Sequence, residues 1–157
     1  MNQTAISLSP GAQDAIAEAL NQSVAETAVA TVLAQNFHWN VEGMAFGPLH
    51  ALFQTIYEDH FIAQDDLAER IKALDRHAVG NMAAWLSQSK VTEAEGTSTD
   101  REMIAALLTA QEQLTSTLAG LQQVSTEHGD TLTEDLAIER GRVHEKFAWM
   151  LRAHLKG

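Results

Sequence analysis

The chain has 157 residues, of which 45% are hydrophobic, and it carries a formal net charge of −11 and no cysteine. This length and apolar content suit one compact domain with a sizeable core. The lack of cysteine excludes disulfides and thiol chemistry, so any bound metal must be held by nitrogen and oxygen ligands. The acidic balance favours cations over phosphates as partners, since the first Lys or Arg in the chain is Arg70.

The N-terminal stretch "MNQTAISLSPGAQD" shows neither the basic segment nor the apolar segment of a secretory signal. No stretch of the sequence is apolar enough to span a membrane. We therefore expect a soluble, cytoplasmic protein without membrane contact, in which residues 1–9 form a flexible tail.

Helical periodicity begins after Ser9 and Pro10, a cap residue followed by proline at the first helical position. Apolar residues then recur at helical spacing and predict a first helix over about residues 10–38: Ile16, Leu20, Val24, Ala28 and Val32. A second helix is predicted to begin at Gly47 and Pro48 and to run to about residue 75. Its predicted buried stripe is Leu49, Leu52, Phe53, Ile56, Leu67, Ile71 and Leu74.

The periodicity lapses over residues 77–99, where only "MAAWLS" indicates one or two helical turns. Thr99 and Glu102 form a capping box that starts a third helix, which Gly129 ends. Its stripe is Met103, Leu107, Leu114, Leu118 and Leu121. Thr131 and Glu134 are predicted to cap the last helix, whose apolar positions are Leu136, Val143, Phe147, Met150 and Leu151.

Four helices of about 25 residues are roughly twice the usual globular length. Short links join the first to the second and the third to the fourth, while about twenty residues separate the second from the third. This order predicts an all-α, ferritin-like four-helix bundle with a long crossover that contains a short helix. We expect residues 1–157 to form this single domain.

The candidate metal ligands are His38, His50, Asp65 and Glu69. Asp65 and Glu69 are four apart and share a helical face, which is also the pattern of an ordinary solvated acidic surface. His50 and Asp65 lie on one helix fifteen residues apart, about 22 Å along its axis, and therefore cannot bind one metal within a single chain. Antiparallel pairing of the second helices of two chains would bring His38 and His50 of one to Asp65 and Glu69 of the other.

The stretches "NFHWNVEG", "LHALF", "DDLAERIKAL" and "HEKFAWMLRAHL" resemble the Dps family, the DNA-protection-during-starvation branch of the ferritins, over nearly the whole chain. The resemblance implies a hollow dodecameric shell that oxidises Fe(II), with hydrogen peroxide or dioxygen as oxidant, and stores the ferric product. It also implies that His38, His50, Asp65 and Glu69 are the iron ligands. Trp39 matches a family tryptophan near the centre, which could intercept an oxidising equivalent or simply fill the dimer interface.

The same resemblance places Asp130 and Asp135 at family positions that line pores on the three-fold axes, although both could instead cap the last helix. The chain departs from the family pattern at Gln54, where many members carry a carboxylate that helps to hold a second iron. Nearby Glu58, Asp59 and His60 could substitute, but a solvated or interface role is the expectation for each.

Two other functions are weighed against the ferroxidase. A non-enzymatic shell that coats DNA or holds metal is the main alternative, and a manganese catalase fits poorly because the pattern has too few carboxylates. DNA binding is expected to be weak or absent, since "MNQTAISLSPGAQD" has no Lys or Arg and the C-terminal end after Arg152 offers only Lys156. A surface patch formed by Arg70, Lys72 and Arg76 is the open exception.

Overall fold

The computed structural model describes residues 7–157, which form five helices and no strand. The helices are α1 (Pro10–Asn40), α2 (Phe46–Ala73), α3 (Met82–Gln88), α4 (Asp100–His128) and α5 (Thr131–Leu155). α1 packs along α2, α4 packs along α5, and α1 also contacts α4. This confirms the all-α bundle of four long helices whose long crossover, between α2 and α4, contains a short helix.

The crossover is tied to α1 by side chains of that helix. The Asn21 amide donates to the carbonyl of His77 and accepts from the N–H of Val79, at 3.1 and 2.9 Å. Further along, the buried Glu26 carboxylate accepts the backbone N–H of Lys90 at 3.2 Å. α3 itself packs against α1. The crossover therefore follows a fixed path along the bundle.

Most predicted helix ends are correct to within two residues, and two predicted caps are confirmed. The Ser9 side chain accepts the N–H of Ala12, and Thr99 and Glu102 form the reciprocal capping box. The cap of α5 was predicted one residue too late. Asp130 is the N-cap, and its carboxylate accepts the N–H of Thr133.

Two apolar clusters fill the bundle, one toward each end. The first surrounds Phe37 and Phe53, and the second surrounds Leu20 and Ile71. The predicted stripes of α2 and α4 are buried throughout. On α5, Phe147 and Leu151 are buried, whereas Leu136, Val143 and Met150 are half-buried.

Val32, the last of the five apolar positions that predicted α1, is 51% exposed, whereas the other four are buried. Positions four apart advance by about 400° on a helix of 3.6 residues per turn, so each step drifts by about 40°. Four steps from Ile16 to Val32 turn the stripe by about 160°, away from the core.

The tail predicted over residues 1–9 falls mostly outside the described residues. Within the described part, Leu8 is buried in the second apolar cluster. The packed chain therefore begins before residue 9.

Candidate metal centre

His38 and His50 lie side by side where α1 turns into α2. Gly43 has a φ of +105° in the intervening turn, a conformation that favours glycine. The two imidazole rings stack with 3.7 Å between their centroids and 16° between their planes. The glycine-containing loop therefore brings together two histidines that are twelve positions apart, as the sequence predicted.

Each imidazole is oriented by the backbone of the other residue. His38 Nδ1 donates to the carbonyl oxygen of His50 at 2.7 Å, and His50 Nδ1 donates to the carbonyl oxygen of His38 at 2.8 Å. Because a carbonyl oxygen only accepts, Nδ1 carries the hydrogen in both rings. In the neutral tautomer this leaves Nε2 of each ring with a free lone pair, the arrangement typical of metal-binding histidines.

Two aromatic side chains enclose this histidine pair. Phe46 stacks on the outer side of His50 with 5.0 Å between centroids, and the Tyr57 ring meets His38 edge-on at 5.2 Å and 79°. His38 is 7% exposed as a result, and His50 is half-buried. The rings thus have little freedom to turn, and the two Nε2 atoms are held in place before any metal arrives.

Asp65 and Glu69 lie on the exposed surface of α2, away from the histidine pair. Fifteen residues of helix separate His50 from Asp65, about 22 Å along the axis but only about 60° in rotation. Within residues 7–157 no three His, Asp or Glu side chains lie close enough together to hold one metal ion. One chain therefore presents the four predicted ligands as two half-sites on the same side of α2.

Gln54 and Glu58 lie between the two half-sites along α2. The Gln54 amide donates to the Glu58 carboxylate at 2.8 Å, with Gln54 half-buried and Glu58 exposed. Trp39, next to His38 in sequence, is 69% exposed in the single chain.

Asp130 is one of the two residues that the family resemblance placed at a pore. It is fully buried at the start of α5, where one oxygen accepts from Arg70 at 2.9 Å and the other from the hydroxyl of Thr133. Asp130 therefore caps α5 and pairs with Arg70, which is the capping role weighed for it as the alternative to a pore. Asp135, by contrast, is exposed.

The solvated or interface role expected for Asp59 and His60 is wrong. His60 is fully buried inside the bundle, and the half-buried Asp59 forms a bidentate pair with Arg140 at 3.1 and 2.7 Å. Gln111 and His144, which were not singled out in the sequence, complete a buried polar cluster with them. A sequence signal was present, because Gln111 stands in the apolar stripe between Leu107 and Leu114.

Comparisons with known proteins first identify the structural class to which this chain belongs. A family model described as a ferritin-like domain matches residues 17–157. The crystal structure of a Dps protein from Vibrio cholerae O1, described as a member of a broad superfamily of ferritin-like diiron-carboxylate proteins, superposes with a TM-score of 0.92 at 30% identity. The match covers 99% of this chain and 98% of that one. The protein is therefore a ferritin-like helical bundle.

Similar sequences and structures identify the family within the ferritin-like class. The DNA protection during starvation protein of Brevibacillus brevis is 35% identical over 146 residues, covering 92% of this chain and 97% of the relative. A crystal structure of a Dps protein from Bacillus brevis has a TM-score of 0.91 at 32% identity, covering 95% of this chain and 100% of that one. The chain belongs to the Dps family.

Proposed function

We propose that the protein is an iron-storage and detoxification ferroxidase. It oxidises Fe(II), with hydrogen peroxide or dioxygen as the oxidant, and stores the ferric product as mineral in a hollow homo-oligomeric shell, a dodecamer. The observation that carries the proposal is the stacked pair His38 and His50, whose Nε2 atoms are left free by reciprocal backbone hydrogen bonds. The Dps protein from Vibrio cholerae O1, described as a member of a superfamily of ferritin-like diiron-carboxylate proteins, supports iron as the metal.

A complete centre requires a second copy of the chain. Phe61 and Ile62 are 70% and 64% exposed and lie on α2 between His50 and Asp65. An exposed apolar pair at this position suits an interface in which two α2 helices cross antiparallel. Such a crossing places the His38–His50 pair of one chain beside Asp65 and Glu69 of its mate, and it buries Trp39 in the same interface.

The assembled ligand set suits oxidation of iron. Imidazole nitrogens hold Fe(II), and the two carboxylate charges stabilise the ferric product more strongly than the ferrous substrate. Two Fe(II) ions supply one electron each to one hydrogen peroxide, which takes up two protons and leaves as two water molecules. No hydroxyl radical is released in this stoichiometry, so iron removal and peroxide consumption protect the cell from oxidative damage together.

Iron enters the shell, in this proposal, through pores lined by Asp135. This carboxylate is exposed near the start of α5 and is free to face a three-fold axis. Converging carboxylates lower the potential energy of a divalent cation and raise its local concentration. Asp130 takes no part, because its oxygens are bound within the chain.

The test adds Fe(II) and then hydrogen peroxide to the purified protein and follows both ferric absorbance and hydroxyl-radical yield. The proposal expects rapid ferroxidation with few radicals, lost in His38→Ala/His50→Ala and retained in His77→Ala, a control at an exposed histidine of the crossover. Iron oxidation no faster than in buffer would instead favour a non-enzymatic shell that coats DNA or holds metal.

A further inference from the structure

A polar layer crosses the bundle between the two apolar clusters. It contains Asp59 and His60 from α2, Gln111 from α4, and Arg140 and His144 from α5. His60, Gln111, Arg140 and His144 are all buried. These residues have no part in the proposed iron chemistry, yet burying polar groups destabilises a fold unless they are hydrogen-bonded. Among the described residues, only Nε of Arg140 is a buried side-chain polar atom without a hydrogen-bond partner.

The five side chains form a closed ring of hydrogen bonds. His60 Nδ1 donates to Asp59 at 3.0 Å, and the Gln111 amide nitrogen donates to His60 Nε2 at 3.0 Å. His144 Nδ1 donates to the Gln111 amide oxygen at 2.7 Å. Arg140 closes the ring, donating to His144 Nε2 at 3.3 Å and to both oxygens of Asp59. We call these five residues the interior ring.

The interior ring fits only neutral imidazoles. In both histidines Nδ1 donates and Nε2 accepts, so protonation would place a second N–H against the Gln111 amide or the Arg140 guanidinium. Turning the amide of Gln111 over would accommodate a protonated His60. It would also force His144 into its other tautomer, with an N–H facing Arg140. The ring therefore has no arrangement that accepts an extra proton without losing a hydrogen bond.

The electrostatic surroundings agree with this geometry. Burial lowers the pKa of His60 despite the neighbouring Asp59 carboxylate, and burial together with His60 and Arg140 lowers the pKa of His144 well below its usual value. Burial alone would raise the pKa of Asp59, but hydrogen bonds from His60 and Arg140 and the positive charge of Arg140 hold it well below its usual range. The buried carboxylate of α1, Glu26, is bound instead to Gln22, Thr117 and the backbone of Lys90.

We propose that the interior ring is an acid-operated latch that holds α2, α4 and α5 together while both imidazoles are neutral and releases them when either takes up a proton. α2 and α5 pack against each other much less extensively than α1 and α2 or α4 and α5 do. The Asp59–Arg140 pair and the ring that it closes are therefore a main connection across that side of the bundle. Acid would loosen this connection from inside each subunit.

The direction in which stability changes with pH follows from how many protons the folded and unfolded states bind. An unfolded histidine titrates near pH 6.5, whereas the folded ring keeps both histidines neutral to lower pH. The unfolded state thus binds more protons below that value, so stability is complete above about pH 6.5 and declines as the pH falls. Two histidines change the unfolding equilibrium by up to about a hundredfold per pH unit.

The first test compares denaturant unfolding of the assembled protein at a fixed concentration from pH 8 to pH 4.5. His144→Asn keeps a donor toward Gln111 but cannot titrate, so we expect up to about a tenfold smaller change per pH unit than in the wild type. His154→Asn, at an exposed position of α5, should keep the wild-type dependence. An unchanged slope in His144→Asn would overturn the proposal.

A second variant tests the direction of the effect. Gln111→Glu places a carboxylate between the two imidazoles, which favours their protonated forms and should shift the loss of stability to lower pH. Gln123→Glu makes the same charge change at an exposed position of α4 and should shift nothing. If both variants follow the wild-type profile, the latch does not exist.

If a variant fails to assemble, a measurement on the unmodified protein tests whether protonation of His60 and His144 accompanies opening of the helices. Hydrogen–deuterium exchange at the imidazole C2 position, read by mass spectrometry, reports the titration of each histidine. Amide exchange reports opening of α2, α4 and α5 in the same samples. We expect His60 and His144 to stay neutral until amide exchange in these helices rises. Titration of either histidine near pH 6.5 in a shell whose helices stay protected would contradict the proposal.

Discussion

At the scale of single residues, four of the histidines form two pairs in different environments. His38 and His50 donate from Nδ1 to backbone carbonyls and keep Nε2 free, whereas His60 and His144 have both ring nitrogens bound inside the bundle. A free Nε2 suits metal binding, and a doubly bonded neutral ring suits a structural role.

The sequence predicted the first pair and missed the second for a physical reason. His38 and His50 are joined by a short loop, so their spacing and Gly43 already indicate that they meet. The interior ring links positions 51 and 33 residues apart on three helices, and only the packing of these helices brings them together. A polar residue within an apolar stripe, such as Gln111, was the available signal.

Gln54 leads to a prediction about how many metal ions bind. A neutral amide is a weaker ligand than a carboxylate for a hard cation, so a second iron is expected to bind weakly beside His50. We expect Gln54→Glu to tighten binding of a second Fe(II) per centre by about tenfold or more, measured by anaerobic titration calorimetry. Gln64→Glu, the same change further along α2, should leave the stoichiometry and affinity unchanged. An identical isotherm for both variants would contradict the role assigned to Gln54.

At the scale of elements, helix starts and core stripes could be predicted because capping and periodicity are local properties. Ser9, Thr99 and the apolar positions of α2 and α4 are examples. Val32 helped to predict α1 correctly but is itself exposed, because a strict four-residue spacing rotates out of the core. The prediction placed the cap of α5 at Thr131, one residue late, although the cap is local: the Asp130 carboxylate accepts the N–H of Thr133, and capping was the alternative role weighed for Asp130.

Asp130 leads to a prediction about stability. Asp130→Ala removes the N-cap of α5 and leaves Arg70, which is only 14% exposed, without its partner. We expect the free energy of unfolding to fall by about 3 kcal/mol per subunit, measured by denaturant unfolding at fixed protein concentration. Asp135→Ala, at an exposed position of the same helix, should change it by less than about 0.5 kcal/mol. Equal effects of the two substitutions would refute the capping role.

At the scale of the whole molecule, charge and exposed apolar surface indicate which kinds of partner the protein can bind. The net charge of −11 would be repeated on every subunit of the proposed shell, and exposed apolar residues of α1, α2 and α3 line one groove: Val32, Phe61, Met82 and Leu86. Such a surface suits burial against a second copy. Among residues 7–157, no helix is long and apolar enough to cross a membrane.

Iron uptake should depend on Asp135 and on ionic strength. Asp135→Asn removes one carboxylate per subunit from the proposed pore, and screening weakens the effect of that charge as salt is added. We expect mineral formation in intact shells to slow several-fold at about 0.01 M salt and much less at about 0.15 M salt. Glu139→Gln, one turn further along α5 and also exposed, is the matched control. Unchanged kinetics at low salt would show that iron enters elsewhere.

DNA binding should be weak or absent at about 0.15 M monovalent salt. Two of the three cations that could have formed a basic patch are neutralised within the chain, since Arg70 pairs with Asp130 and Arg76 with Asp14. Lys72 is exposed between them. A gel-shift and sedimentation assay with chelator present should show no large protein–DNA complexes. Their formation under these conditions would reveal a basic surface created by assembly.

Sharing of the metal centre between two chains is the central claim, and mixed shells test it most directly. A chain carrying His38→Ala/His50→Ala is co-assembled in equal amounts with a chain carrying Asp65→Ala/Glu69→Ala. Each mixed dimer would contain one centre with all four wild-type ligands and one with none, so random pairing predicts about a quarter of wild-type ferroxidation where either parent shell has essentially none. Mixed shells that assemble but stay as inactive as their parents would contradict a centre shared across the dimer.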